Sequence, residues 1–198
     1  MVMSKGQVEL SRKTAETDLK VQLRLRGSGE HRIETGIGLF DHLLGALAYH
    51  GQLDLNIIAQ GDLEVDTHHL VEDTGLLLGQ ALRQALGDKA GIRRFSSLSQ
   101  PMDEALVHVA LDISGRPYLN YELQLKRERI GELEVEVVDE FWRAFSSRAR
   151  IALHLIQLAG KNEHHLLEAS FKGVGRALKE ACQMTGRDEA ASTKGRLD

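Results

Sequence analysis

Alternating apolar and polar positions predict β-strands in both halves of the chain. Val21, Leu23 and Leu25, for example, alternate with polar neighbours, which is typical of a half-buried strand. By this criterion, strands are expected at about 21–25, 31–35, 53–57, 107–113, 119–125 and 132–138. We expect the strand at 31–35 to complete a hairpin with the first strand and the one at 119–125 to turn back after 107–113. Residues 1–11 are interpreted as a loose lead-in.

Apolar residues recur at helical spacing in four segments. These segments are about 41–50, from a first His-His pair to about 86, about 139–159, and from a second His-His pair onward. Asp41 is a possible N-cap of the first helix. Each half then combines a small, mainly antiparallel sheet with two helices on one face. This pattern predicts an α+β fold in which the helices pack between two sheets.

A repeated motif predicts an internal duplication. The segment DTHHLVED at 66–73 recurs as NEHHLLE at 162–168, an offset of 164 − 68 = 96 residues. The offset persists beyond the motif, since Gly79 corresponds to Gly175. We therefore expect one domain over 1–198, built of repeats at about 12–90 and 91–182 with a C-terminal tail at 183–198.

The repeated motif also brings possible metal ligands together. A helix turns about 100° per residue, so His68 and Glu72 share one face while His69 points away. The second copy repeats the pattern with His164, His165 and Glu168. Divergent imidazoles cannot easily chelate one ion, but each can ligate a different ion. Imidazole and carboxylate ligands without thiolates suit Mn, Fe, Co, Ni or Zn, so the motif suggests two metal ions.

Composition restricts the class of protein. A net charge of −4 and an aromatic content of 5% argue against a nucleic-acid partner. The single cysteine, Cys182, excludes an internal disulfide and suits a reducing cytoplasm. No apolar run approaches the roughly 18 residues of a membrane-spanning helix, so we expect a cytoplasmic protein that does not enter the membrane.

The glycines at equivalent positions of the two repeats leave two interpretations open. Gly79 and Gly175 share a helical face with the Glu of each motif, where alanine would be favoured by about 1 kcal/mol. Either the two halves pack closely there or a ligand approaches the backbone.

His50 is a weaker functional candidate near the end of the first helix. Arginine, lysine and hydroxyl side chains suited to a phosphate group occur at Arg93, Arg94, Arg116, Lys172, Ser192, Thr193 and Lys194.

The order of several motifs resembles the imidazoleglycerol-phosphate dehydratases of histidine biosynthesis. The resemblance covers nearly the whole chain, from residue 12 to 197. The motifs are TAET at 14–17, GLFDH at 38–42, GD at 61–62, HHLVED at 68–73, MDEAL at 102–106, SGRP at 114–117, NEHHLLE at 162–168 with FK at 171–172, and STKG at 192–195.

The resemblance implies an activity and an assembly. The activity is metal-dependent dehydration of D-erythro-imidazoleglycerol phosphate to imidazole acetol phosphate and water, with two Mn(II) ions per active site, although other divalent metals are possible. The assembly is a large homo-oligomer of cubic symmetry, a 24-mer, with active sites between subunits. The only macromolecular partners implied are copies of the same chain.

The resemblance also implies roles for particular residues. Glu16 would be a catalytic acid/base. The implied metal ligands are His42, His68, His69, Glu72, His164, His165 and Glu168. Glu140 is added to them because it stands where many members have a further His, and a carboxylate ligates the same hard ions. The implied substrate- and phosphate-binding residues are Arg94, Arg116, Lys172, Ser192 and Lys194.

Two other functions would use similar residues. A dinuclear metal hydrolase would use the His and Glu ligands to activate water, but bridging Asp residues would be its signature. A metal-storage protein would need the His pairs but not Glu16 or the STKG tail.

Overall fold

The computed structural model describes residues 6–186, 189, 191 and 192, and its strands form two four-stranded sheets and one short pair. In chain order the strands are β1 (Gln7–Lys13), β2 (Thr17–Arg24), β3 (His31–Glu34), β4 (Asp54–Gly61), β5 (Phe95–Met102), β6 (Ala105–Asp112), β7 (Tyr118–Glu122), β8 (Arg129–Ile130), β9 (Leu133–Glu134) and β10 (Ala152–Ala159). The sheet orders are β1-β2-β4-β3 and β5-β6-β10-β7. The two sheets thus share one topology, with three antiparallel strands and a parallel edge strand, as a duplication requires.

Within the described part of the chain, four helices lie between the sheets. They are α1 (Gly38–Gly51), α2 (His68–Leu86), α3 (Val137–Ala149) and α4 (Glu163–Ala181). Helix α2 packs on β1 and β2 and α4 on β5 and β6, while α1 contacts α4 and α2 contacts α3. Each helix pair therefore joins the two halves. The α+β prediction, with duplicated halves and helices between the sheets, is confirmed.

Aromatic side chains fill the centre of this helical layer. Phe141 lies 5.4 Å, centroid to centroid, from both Phe40 and Phe171, and 4.8 Å from Trp142. All four side chains are fully buried. Because they come from α1, α3 and α4, burial of these rings stabilises the contact between the halves.

The two helix–helix contacts depend on glycine. A Cβ on Gly79 would lie 2.4 Å from the Phe145 carbonyl oxygen of α3. A Cβ on Gly175 would lie 2.5 Å from the Leu47 carbonyl oxygen of α1. Helix packing between the halves, rather than approach of a ligand, therefore explains both glycines.

Three expectations about the strands and their pairing partners were wrong. Residues 7–13 form strand β1 rather than a loose lead-in, although only Val8 of this edge strand is buried. Strand β3 does not form a hairpin with β2, because it pairs in parallel with β4 after α1. Similarly, β7 pairs in parallel with β10 rather than turning back on β6. Alternation identifies strands but carries no information about the partner.

The region from 132 to 159 also differs from prediction. The expected strand at 132–138 shrinks to β9, and α3 begins at Val137. Helix α3 then ends at Ala149 because Arg150 adopts left-handed backbone angles, with φ of 55°. The following residues form the central strand β10, whose Leu153 and Leu155 are buried on one face. Strand β5 was not predicted, since its sequence FSSLSQPM offers little apolar alternation.

Candidate metal and substrate site

One candidate metal site lies where α1 meets α4. His42 comes from the first repeat, and His164 and Glu168 come from the second. The Oε2 atom of Glu168 lies 3.4 Å from Nε2 of each imidazole. Within the described ranges, this is the one group of three or more His, Cys, Asp or Glu side chains whose possible ligand atoms all lie within 4.8 Å of one another. The two repeats together therefore build the site.

The carboxylate of Glu168 is held ionised. Burial favours its neutral form, but the Lys172 ammonium, 2.5 Å away, and His42 outweigh burial and lower the pKa of Glu168. Ligands about 2.1 Å from an ion and at right angles lie about 3 Å apart. The spacing and donor types of the cluster therefore fit a divalent metal such as Mn(II).

The corresponding residues of the first repeat are more loosely arranged. His68 and Glu72 lie one helical turn apart, with 3.8 Å between Nε2 and Oε2. Glu140, the predicted third ligand, does not join them in a comparable cluster among the described residues. Its carboxylate instead lies 3.8 Å from the guanidinium of Arg143.

The second histidine of each pair points away from the first. The ring planes of His68 and His69 are inclined by 83°, and those of His164 and His165 by 85°. Each pair therefore diverges as the helical geometry predicts. Sequence reasoning missed the carboxylates that contact these second histidines. They are Asp62 at His69 and Asp103 with Glu104 at His165.

Glu16 lies in a turn that is fixed to the first His-His helix. Thr14 Oγ1 accepts hydrogen bonds from the backbone N–H groups of Glu16 and Thr17. Thr17 Oγ1 donates to the buried carboxylate of Asp73 on α2 at 2.5 Å. This anchoring places the exposed Glu16 carboxylate 3.9 Å from Nε2 of His69. The predicted acid/base and a predicted metal ligand thus share one surface.

Arg94 is held at the C-terminal end of α4. Its guanidinium donates to both carboxylate oxygens of Asp112, at 2.7 and 3.1 Å, and to the Ala191 carbonyl beside Ser192. Its backbone is left-handed, with φ of 76°, and its N–H donates to the Ala181 carbonyl. The structure therefore brings Arg94 close to Ser192, while the neighbouring Lys194 lies outside the described residues.

The other predicted phosphate-binding residues lie elsewhere. Lys172 is nine residues before Ala181 on α4, about 13 Å along the helix at 1.5 Å per residue. Arg116 is exposed in the turn after β6, where its N–H donates to Ser114 Oγ. One chain therefore does not gather Arg94 and Lys172 around a single phosphate.

His50 lies close enough to Lys172 for the two side chains to interact electrostatically. Burial and the positive charges of Lys172 and Arg176 lower its pKa, although Glu168 acts in the opposite direction. The imidazole is therefore neutral at pH 7 and can donate or accept a hydrogen bond. Its proximity to Lys172 depends on α1 packing beside α4, which sequence spacing does not reveal.

These observations define a class of protein, a duplicated α+β fold with a histidine–carboxylate cluster whose spacing and donor types fit a divalent metal ion. Residues 35–178 match the family model described as imidazoleglycerol-phosphate dehydratase (IGPD). The chain belongs to this family of histidine-biosynthesis dehydratases and is an enzyme.

Relatives and solved structures support this membership. The imidazoleglycerol-phosphate dehydratase of Caldanaerobacter subterraneus subsp. tengcongensis is 57% identical over 190 residues, covering 96% of this chain and 98% of the relative. The crystal structure of the Staphylococcus aureus enzyme is 37% identical, with a TM-score of 0.82, and covers 90% of this chain and 99% of that one. The IGPD structure from Pyrococcus furiosus, a complex with (S)-C348, is 39% identical, with a TM-score of 0.82 and coverages of 95% and 100%.

Within the described ranges, no helix is both long enough and apolar enough to cross a membrane.

Proposed function

We propose that the protein dehydrates D-erythro-imidazoleglycerol phosphate to imidazole acetol phosphate and water, using two Mn(II) ions per active site. The observation that carries the metal requirement is the cluster of His42, His164 and Glu168, assembled from two helices of different repeats. The family of the chain supports the choice of substrate.

The metal ligands of the proposal come from both repeats. They are His42, His68, His69, Glu72, Glu140, His164, His165 and Glu168. When bound, Mn(II) ions would act as Lewis acids and as a template that orients the substrate. Glu140 is the least supported ligand, because its carboxylate approaches Arg143 rather than the His68 pair.

The protein's own residues must move a proton that is not acidic. The carbon that loses hydroxide has no adjacent carbonyl, so deprotonation of the neighbouring carbon needs a base held in position. Glu16 is exposed and anchored to α2 by its turn, so it can reach a substrate placed beside His69. We assign it the transfer of that proton. Tautomerisation of the enol product then gives the ketone.

The phosphate site is proposed to be shared between subunits. Arg94, Arg116, Lys172, Ser192 and Lys194 are its proposed members, yet Arg94 and Lys172 lie far apart within one chain. His69 and His165 likewise point away from the histidines beside them. Active sites between subunits of a large homo-oligomer, proposed as a 24-mer, would combine these separated groups.

The proposal includes a cytoplasmic location and a single small-molecule partner, the phosphorylated imidazole substrate. The cytoplasm supplies phosphorylated metabolites and keeps a lone thiol such as that of Cys182 reduced.

The decisive experiment detects enolised imidazole acetol phosphate by ultraviolet absorbance after Mn-loaded protein receives imidazoleglycerol phosphate. We expect product from the wild type and from the control His108→Ala, whose imidazole contacts Ser97 and Ser99 on strand β5. A chelator, His68→Ala and His165→Ala should each abolish product.

A further variant tests the acid/base. Glu16→Gln should lose at least about 100-fold in turnover while its Mn(II) remains bound. Turnover within a few-fold of wild type would refute the role of Glu16. No product from a folded, fully metallated wild-type oligomer would refute the dehydratase and favour a metal hydrolase.

A further inference from the structure

The second histidine of each His-His pair has a carboxylate behind it. Nδ1 of His69 lies 3.0 Å from Oδ2 of Asp62. Nδ1 of His165 lies 2.8 Å from Oε2 of Glu104. An ionised carboxylate only accepts hydrogen bonds, so Nδ1 of each imidazole is the donor. In a neutral ring, Nε2 then carries the free lone pair.

The internal duplication does not explain why Nδ1 of both His69 and His165 contacts a carboxylate. Asp62 directly follows β4, whereas the residue that directly follows the equivalent strand β10 is Gly160. Glu104 instead lies in the turn between β5 and β6. The equivalent turn in the first repeat holds Glu16, which approaches Nε2 of His69 rather than Nδ1. The chain therefore makes the same contact with carboxylates from two unrelated positions, which indicates a requirement of the imidazoles themselves.

We propose that Asp62 and Glu104 are positioning residues, which hold His69 and His165 with Nε2 free to ligate a metal ion. This inference rests on the proposed metal-dependent function. A carboxylate at the non-ligating nitrogen fixes the ring orientation and increases the basicity of the ligating nitrogen.

Glu104 is itself fixed to the start of α4. Its Oε1 accepts the backbone N–H groups of Asn162, at 2.9 Å, and Lys161, at 3.3 Å. One carboxylate therefore ties the β5–β6 turn to the helix that carries His165. Any test must separate this anchoring of the helix from the effect on the imidazole.

Glu134 provides a matched control. Its Oε2 accepts hydrogen bonds from the Thr67 N–H, at 3.1 Å, and from Thr67 Oγ1, at 2.9 Å, at the start of α2. Its carboxylate also accepts a hydrogen bond from Arg129, and among the residues that the structure describes it makes none with an imidazole. Glu134→Gln thus perturbs the start of a His-His helix in the same way without altering a hydrogen bond to histidine.

The experiment titrates Mn(II) into the metal-free oligomer and follows free Mn(II) by electron paramagnetic resonance, with thermal unfolding as a parallel measurement. Glu104→Gln and Asp62→Asn should each weaken Mn(II) binding by about 10- to 100-fold, because an amide does not enforce one imidazole tautomer. Glu134→Gln should bind Mn(II) like the wild type. Saturating Mn(II) should restore much of the turnover of Glu104→Gln, which it would not do for a misfolded site.

The outcomes separate the positioning role of Asp62 and Glu104 from the proposed metal-dependent function. If the wild type binds Mn(II) and turns over substrate while Glu104→Gln matches Glu134→Gln in affinity, the positioning role is wrong and the proposed function survives. If the wild type binds no Mn(II), both are wrong. A loss of affinity equal in Glu134→Gln and Glu104→Gln would also overturn the inference, because anchoring of the helix would then explain it.

Discussion

The contact between α1 and α4 should fail if Gly175 gains a side chain. In Gly175→Ala the new Cβ would lie 2.5 Å from the Leu47 carbonyl oxygen and 3.0 Å from the Gly51 nitrogen. Ordinary van der Waals contact begins near 3.4 Å, so the helices must separate by about 0.9 Å (3.4 − 2.5). Both obstructing atoms are backbone atoms within α1, so no side chain can rotate away to relieve the clash.

The magnitude follows from two opposing terms. Alanine in a helix interior is favoured over glycine by about 1 kcal/mol. Overpacking of a close contact costs about 1–3 kcal/mol, and the rigid backbone at Gly175 favours the upper end of that range. We therefore expect a net loss of about 2 kcal/mol. For a chain of 198 residues this corresponds to a decrease in Tm of about 4–8 °C.

Thermal unfolding at one fixed protein concentration tests this prediction, since oligomerisation makes Tm depend on concentration. Gly38→Ala is the control, because a Cβ there meets nothing within 4 Å at the start of α1. Its Tm should be unchanged or slightly raised. A Tm for Gly175→Ala equal to that of Gly38→Ala would refute the packing argument.

Two further predictions concern a thiol and a carboxylate. Burial raises the pKa of the Cys182 thiol to about 12. At pH 8 the folded protein should therefore resist a thiol reagent that labels Cys182 fully in denaturant. Rapid labelling of the folded protein would contradict this prediction. Burial opposes ionisation of Asp54, but hydrogen bonds from Arg24 and Ser28 outweigh it and lower its pKa below 3.8. Asp54→Asn should therefore lower the free energy of unfolding by about 2 kcal/mol at pH 7. The difference in Tm between this variant and the wild type should shrink as the pH falls below 3.8, because protonation of Asp54 removes the same interaction from the wild type. A difference in Tm that does not depend on pH would contradict this reasoning.

Much of the candidate site could be predicted from residue types and spacing. The divergence of His68 from His69, and of His164 from His165, follows from the helical turn per residue. The pairing of His164 with Glu168 follows from the same geometry. These are contacts within four residues, and local backbone geometry fixes them.

Contacts between distant segments needed the structure. Asp62 and Glu104 act on equivalent histidines but occupy unrelated sequence positions, so no repeat analysis would pair them. The separation of Arg94 from Lys172 also became visible only once α4 had been placed. Likewise, Glu140 follows His42 by 140 − 42 = 98 residues, nearly the repeat offset of 96, yet its carboxylate approaches Arg143.

The duplication, the α+β class and the two divergent His-His helices follow from the amino-acid sequence alone, because periodicity and spacing are local properties of the chain. The order of the strands and the cluster of His42 with His164 and Glu168 became visible only in the folded chain. Those features depend on which faces pack together, and the packing of α1 on α4 requires the absence of a side chain at Gly175. Such a contact joins residues more than 100 positions apart, and its geometry is a property of the folded core rather than of either segment.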